Sequence, residues 1–144
     1  MTEVAFHFNV GDPLGYACRL LRKAIRAGAQ VAVIAPPERL RELDAALWSF
    51  DPLEFLPHVR IAPGAQPPAR LATTPLWLVE RASDAPPVPV LVNLGDEVAP
   101  GFESFDRLIE IVGNDDAERQ AGRRRWKHYS DRGYAIERHE VGAR

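Results

Sequence analysis

Residues 4–36 read VAFHFNVGDPLGYACRLLRKAIRAGAQVAVIAP, and this stretch decides the fold class. The opening VAFHFNV is rich in β-forming side chains, and QVAVIAP is a short, continuously apolar run typical of a buried strand. Between them, apolar side chains recur at helical spacing, Pro13 suits a first turn and Gly28 suits the position just after a helix. A strand, a helix and a strand within about 30 residues form a βαβ unit, which predicts a parallel pair of strands.

The rest of the chain continues this alternation of strands and helices. Helices are predicted at 37–48 and, with Asn114 as N-cap and Gly133 as the stop, at 114–132. Strands are predicted near 75–80, 88–94 and 107–113, with a last strand from Tyr134, and the proline-rich 62–74 predicts a loop. The pattern predicts a single α/β domain over residues 1–144, with three layers and a mainly parallel or mixed central sheet flanked by helices, Rossmann-like but without a nucleotide-binding loop.

Composition excludes several classes of protein. Of the 144 residues, 46% are hydrophobic and 26% are charged, with a net charge of −2, which is ordinary for a folded domain and unlike a disordered chain. A single cysteine cannot form an internal disulfide. We find neither a signal-peptide pattern nor an apolar run long enough for a membrane span, so we expect a cytoplasmic protein without membrane contact.

Motifs for cofactors and catalysis are also missing. After the first strand the chain reads NVGDPLGYA, which matches neither the dinucleotide fingerprint nor the phosphate loop. Cys18 falls on the apolar stripe of the first helix, where burial makes a thiol inert, and the four histidines lack metal-ligand spacing. Asp115 and Asp116 suit the positive end of a helix dipole and need no catalytic role. We therefore expect no cofactor, no metal and no catalytic constellation.

The most distinctive stretch is RRRWKHY at residues 123–129. From Arg119 to Arg132 there are six basic residues against one acid, a net charge of +5, so the remainder of the chain carries −7. On a helix, one face holds long cations around an indole and the other two arginines, Arg124 and Arg125, point elsewhere. That face comprises Arg119, Arg123, Trp126, Lys127 and Ser130. It suits a ligand that has carboxylates and an apolar group.

A purely structural interpretation stays open for both aromatic segments. Trp126 could anchor the helix to the sheet while the arginines are simply solvated. Trp48, in LWSFDPLEF with Phe50 and Phe55, is interpreted first as a core residue, and as part of a docking patch if it is exposed.

Two segments together resemble the chi-subunit family of bacterial DNA polymerase III. They are LDAALWSFDPLEFLPH at residues 43–58 and RRRWKHYSDRGY at residues 123–134, and the similarity extends over almost the whole chain. The resemblance implies a non-catalytic adaptor of the clamp-loader complex. It would bind the acidic C-terminal tail of single-stranded DNA-binding protein, which ends in an apolar residue and a free carboxylate. Through another face it would bind the psi subunit, and it would associate with DNA only indirectly.

The resemblance also implies which residues hold the tail. The peptide-binding positions would be Trp48, Val112, Arg119, Arg123, Trp126 and Lys127. Arg123 and Lys127 would meet acidic groups, and Trp48 and Trp126 would form opposite walls around the apolar residue. Phe55 would belong to the psi-subunit interface.

Two other hypotheses remain open from the residues themselves. The basic helix could bind single-stranded nucleic acid directly, with Trp126 stacked on a base, although the −7 of the remaining chain would repel a polyanion. An unrecognised enzyme on an α/β scaffold is neither supported nor excluded by fold alone.

Overall fold

All strands of the described chain join one parallel sheet. The computed structural model describes residues 1–49, 56–66 and 73–142. The strands are β1 (Glu3–Val10), β2 (Val31–Ile34), β3 (His58–Ile61), β4 (Leu76–Val79), β5 (Val90–Asn93), β6 (Arg107–Gly113) and β7 (Ile136–Glu140). The helices are α1 (Pro13–Arg26), α2 (Pro37–Ser49) and α3 (Asp116–Asp131). The seven strands follow the order β3-β4-β2-β5-β6-β1-β7 and every neighbouring pair is parallel, which confirms the α/β prediction.

The structure corrects the prediction that β1 and β2 are paired neighbours in the sheet. The two strands do run parallel in one sheet, but β5 and β6 lie between them. β1 instead pairs with β6 on one side and with β7 on the other. The helix pattern between the first two strands predicts a crossover, but it does not fix how many strands the crossover passes.

The helices cover both faces of the sheet and make three layers. On one face α1 and α2 bury Leu21, Leu40 and Leu43 against strand residues such as Val31 and Val33. On the other face α3 buries Tyr129 against strand residues such as Phe6 and Ala32. Because both faces are covered, β2 and β4 are buried along their full lengths.

The helix ends follow from local chemistry. Asp12 caps α1 by accepting from the Gly15 N–H, and Gly28, just beyond its end, has a φ of 90°. Asp115, rather than the predicted Asn114, caps α3 by accepting from the Glu118 N–H at 2.8 Å, and Gly133 follows its end with a φ of 81°. The described helices include none with the length and apolar character that a membrane crossing requires.

Candidate functional site

The helix that carries the basic cluster packs unusually close to strand β6. Gly122 lies in the middle of α3 and is buried, and a Cβ at that position would come 2.8 Å from Cγ1 of Val112. Only a glycine therefore allows α3 to approach the carboxyl end of β6 this closely. This contact places the first turns of α3 beside the ends of β6, β1 and β7.

The side chains of the basic stretch point in three directions around α3. Arg119 and Arg123 are exposed, Trp126 is half-buried, and Arg124 is exposed on another side. Arg125 is only 3% exposed and points into the core. The expectation that Arg124 and Arg125 point away from the predicted face agrees with this arrangement, but the sequence did not indicate that Arg125 is a core residue.

A buried polar network fixes Arg125 and with it the orientation of α3. The Arg125 Nε donates to Glu110 Oε1 at 2.8 Å, and its Nη1 donates to the Asp96 carbonyl at 3.1 Å. Glu110 Oε2 accepts from the Tyr129 hydroxyl and from Asn93 Nδ2. Burial raises the pKa of the Glu110 carboxyl, while the charge of Arg125 opposes that shift. Burial and the neighbouring Glu110 charge also raise the pKa of Tyr129, so its hydroxyl stays a donor.

An open cleft of about 660 Å³ lies between α3 and the edge strand β7, and we call it the basic cleft. Its apolar surface is formed by Phe6, Phe8, Val112 and Trp126, with Gly122 at its base. Its polar groups are Asn9, Arg119, Arg123, Arg138 and Glu140. The cleft therefore combines an aromatic floor with three arginines, from two different elements.

Parallel pairing of the first and last strands builds the wall opposite α3. In the β1–β7 register, Phe6 lies beside Arg138 and Phe8 lies beside Glu140, all on the face that carries α3. Asn9 lies at an irregularity in the pairing of β1 with β6 and has a φ of 60°, a conformation that asparagine tolerates. Its side-chain amide donates a hydrogen bond to Glu140 at 3.3 Å.

The guanidinium of Arg138 lies over two aromatic rings of the cleft. Its Cζ is 5.7 Å from the ring centroid of Phe8 and 5.7 Å from that of Trp126. The Trp126 ring also meets Phe6 edge-on, with 5.2 Å between centroids. Trp126 is thus both an anchor of α3 to the sheet and a wall of the cleft, which reconciles the two interpretations of that residue.

The residues that β1 and β7 contribute to the cleft were not predicted from the sequence. Phe6 and Phe8 alternate along the first strand, and Arg138 and Glu140 alternate along the last, so each pair is recognisable as sharing one strand face. The sequence does not indicate that β1 pairs with β7, and this pairing brings the two strand faces together.

Four of the six predicted peptide-binding residues line this cleft. They are Val112, Arg119, Arg123 and Trp126. Lys127 lies on α3 just outside the lining, and its Nζ pairs with Asp131 at 3.1 Å. Phe55 lies outside the described residues.

Trp48 is not among the residues that line the basic cleft, so the structure does not bring it together with Trp126 as the opposite wall. Trp48 is 63% exposed at the end of α2, with its ring 5.3 Å from that of His58 on β3. α2 packs on the sheet face opposite α3. As a crossover between parallel strands, α2 also ends near their amino ends, whereas the cleft is at the carboxyl ends of β1 and β7.

Carboxylates of the chain itself occupy the N-termini of α1 and α3, at the point in the parallel sheet where the helices change from one face to the other. α1 and α3 follow the neighbouring strands β1 and β6 but cover opposite faces, which is where α/β sheets commonly bind phosphates. Asp12 caps α1, and Glu118 accepts from the Gly113 N–H at 3.2 Å. A Cβ on Gly15 would lie 2.3 Å from Asp12 Oδ2, so this carboxylate sits against the first turn of α1 where an anionic ligand would otherwise approach.

Comparison with solved structures shows the fold. The C-terminal domain of the DEAD-box protein Dbp5 aligns with 97% of this chain and 90% of that chain at a TM-score of 0.61, with 12% sequence identity. At that identity the similarity concerns the α/β architecture alone.

Comparison with characterised sequences shows the family. The DNA polymerase III subunit chi of Pseudomonas aeruginosa is 37% identical over 98% of each chain, and that of Haemophilus influenzae is 31% identical over 88% of this chain and 85% of its own length. The subunit chi of Escherichia coli is 25% identical over 83% of this chain and 79% of its own length. The family model described as DNA polymerase III chi subunit, HolC, matches residues 1–137. The chain therefore belongs to the DNA polymerase III chi subunit family and is an accessory subunit of the replisome.

Proposed function

We propose that this chain is a non-catalytic adaptor that binds the acidic C-terminal tail of single-stranded DNA-binding protein in the basic cleft. Through the psi subunit it would link that protein to the clamp loader. One observation carries the proposal: Arg119, Arg123 and Arg138 converge on an aromatic floor, and within the described ranges none of the three forms an ion pair. Other arginines of this chain do form ion pairs with carboxylates, as Arg125 does with Glu110.

The chemistry of the cleft complements an acidic peptide with an apolar end. The exposed Arg119 and Arg123 can bind carboxylates through charge-assisted hydrogen bonds of about 1.5–3 kcal/mol each. The apolar terminal side chain would lie on Phe8, Val112 and Trp126. Ordering a flexible tail offsets part of this gain, so we expect a weak and reversible contact.

The proposal also assigns roles to the remaining predicted residues, Lys127, Trp48 and Phe55. Lys127, whose side chain is 77% exposed, would add charge at the rim after exchanging its partner Asp131 for the peptide. Trp48 would contribute to a second contact outside the cleft, because α2, which carries it, packs on the other face of the sheet. Phe55 is proposed for the psi-subunit interface. The protein would act in the cytoplasm and associate with DNA only through its partners.

The deciding experiment compares two neighbouring arginines of α3. Calorimetric titration with the C-terminal peptide of the cognate single-stranded DNA-binding protein should give a clear loss of affinity for Arg123→Ala, about tenfold or more. Arg124→Ala is the matched control, because Arg124 is exposed but does not line the cleft. Both variants should keep the thermal midpoint of the wild type. Unchanged affinity of Arg123→Ala, or binding of the partner protein after removal of its tail, would contradict the proposal.

Direct binding of single-stranded DNA is less well supported by the geometry. The basic groups of the cleft form one short cluster rather than an extended groove, and the chain outside residues 119–132 carries −7, which would repel a polyanion beyond the local contact. Fluorescence anisotropy with labelled single-stranded DNA distinguishes the two functions. Tight binding that weakens with salt, in the absence of any partner protein, would favour the DNA interpretation.

A further inference from the structure

We propose that Arg138, on strand β7, is a specificity-determining residue that binds the free terminal carboxylate of the peptide together with Arg123. The inference rests on the proposed function and adds a residue to it: Arg138 comes from the opposite wall of the cleft and selects a chain end over an internal acidic segment.

Arg138 is held in place by stacking rather than by an ion pair. Its guanidinium lies 5.7 Å from the centroids of both the Phe8 and the Trp126 rings. These distances are within the range of cation–π attraction, which favours a guanidinium position beside the two rings, and Arg138 lines the cleft there. The side chain is therefore organised before a ligand arrives.

The acids nearest along β7 have other partners. Glu137 points to the opposite face of the sheet, where it lies 3.7 Å from Arg107 and 3.8 Å from His139. Glu140 shares the face of Arg138, but its Oε2 accepts a hydrogen bond from Asn9. Across the part of the chain that the structure describes, no carboxylate lies within ion-pair distance of Arg138.

Covalent geometry explains why Arg138 suits a terminal carboxylate. The last residue of a peptide carries its side chain and its free carboxylate on the same Cα. If the apolar side chain lies on Trp126 and Phe8, the carboxylate must lie within a few ångströms of those rings. Arg138 stacks on both rings, and Arg123 precedes Trp126 by one turn of α3. A guanidinium fork matches a carboxylate bidentately, which a lysine ammonium cannot do.

The experiment measures two peptides against four proteins. The peptides have the C-terminal sequence of the cognate single-stranded DNA-binding protein, one as the free acid and one as the C-terminal amide. The proteins are the wild type, Arg138→Gln, Arg123→Ala and the control Arg124→Gln. The wild type should prefer the acid by about tenfold or more, since the amide removes one charge-assisted contact. Arg138→Gln should lose most of that preference, binding the acid more weakly and the amide nearly as the wild type does.

Each alternative outcome has a definite meaning. Arg138 is exposed, so Arg138→Gln should keep the wild-type thermal midpoint. Equal losses for acid and amide, or no loss while Arg123→Ala still weakens binding, would overturn the role of Arg138 and leave the proposed function standing. Failure of the wild type to bind either peptide would refute the proposed function and this assignment together. Arg138→Lys refines the result, because recovery of the full preference by a lysine would refute a bidentate contact.

Discussion

Arg125 and Glu110 form an ion pair that is almost completely excluded from water, with Arg125 Nε 2.8 Å from Glu110 Oε1 and the two side chains 4% and 0% exposed. The pair connects the middle of α3 to the middle of β6. Tyr129 and Asn93 satisfy the second carboxylate oxygen, so the carboxylate is hydrogen-bonded on both sides. Because Arg125 is fixed, the outward residues Arg123 and Trp126 are fixed on the cleft side of the same helix.

The first prediction concerns stability and compares two adjacent arginines. Arg125→Ala should lower the free energy of unfolding by about 3–5 kcal/mol, because it leaves the charge of Glu110 buried and unpaired. Arg124→Ala should change it by about 0.5 kcal/mol at most, since Arg124 is exposed. Urea denaturation measures both. Similar losses for the two variants would show that burial does not distinguish these arginines.

The second prediction tests the close approach of α3 to β6. In Gly122→Ala the new methyl group would lie 2.8 Å from Cγ1 and 3.1 Å from Cγ2 of Val112, so the helix or the valine must move. Overpacking of this kind costs about 1–3 kcal/mol. We also expect weaker binding of the tail peptide, because the floor of the basic cleft shifts.

Val112→Ala provides the rescue for this variant. Trimming the valine removes the atoms that the new methyl would meet, so the double variant should be less destabilised than the sum of the single variants. Strict additivity of the two losses in chemical denaturation would mean that the contact between positions 122 and 112 is not the cause.

The third prediction concerns the pH dependence of stability. His7 is buried on β1, its Nδ1 is hydrogen-bonded to the Tyr16 hydroxyl, and its Nε2 has no hydrogen-bond partner among the described residues. The pKa of His7 is lowered to about 4, chiefly by burial, with smaller lowering contributions from His139 and Arg107 and an opposing one from Glu137. Because the unfolded chain binds this proton more readily, stability should be complete above about pH 6.5 and fall as the pH drops towards 4.

The substitution His7→Gln isolates this contribution. Gln keeps an acceptor for Tyr16 but cannot take up a proton in this range, so the slope of stability against pH between 6.5 and 4 should become shallower than in the wild type. Denaturant titrations at several pH values measure the slope. An unchanged slope would place the acid sensitivity in other groups.

The sequence predicted the elements of the fold far better than their neighbours in the sheet. Long helical periodicity and short apolar runs located the helices and β4, β5 and β6 to within a few residues. β3 was missed because its sequence, HVRI, is only four residues long and alternates weakly. The separation of β1 from β2 was not predictable either, since β5 and β6, which come between them, lie far along the chain.

The candidate site was predictable on one side only. Arg119, Arg123 and Trp126 share a helix face, and helical geometry alone brings them together. The other side depends on the pairing of β1 with β7, which are separated by more than a hundred residues and whose contact leaves no local signal. The same lack of tertiary information explains why Trp48 was predicted opposite Trp126, whereas α2 and α3, which carry them, pack on different faces of the sheet.

The basic cleft joins the first strand of the chain to the last, and this has a consequence for its synthesis. Phe6 and Phe8 leave the ribosome early, but Arg138 can stack on Phe8 only after β7 has emerged and paired with β1. A nascent chain that still holds β7 inside the ribosome can fold the centre of its sheet while it lacks a complete ligand site. The order of the strands therefore delays capture of the ligand until β7 has been translated and has paired with β1.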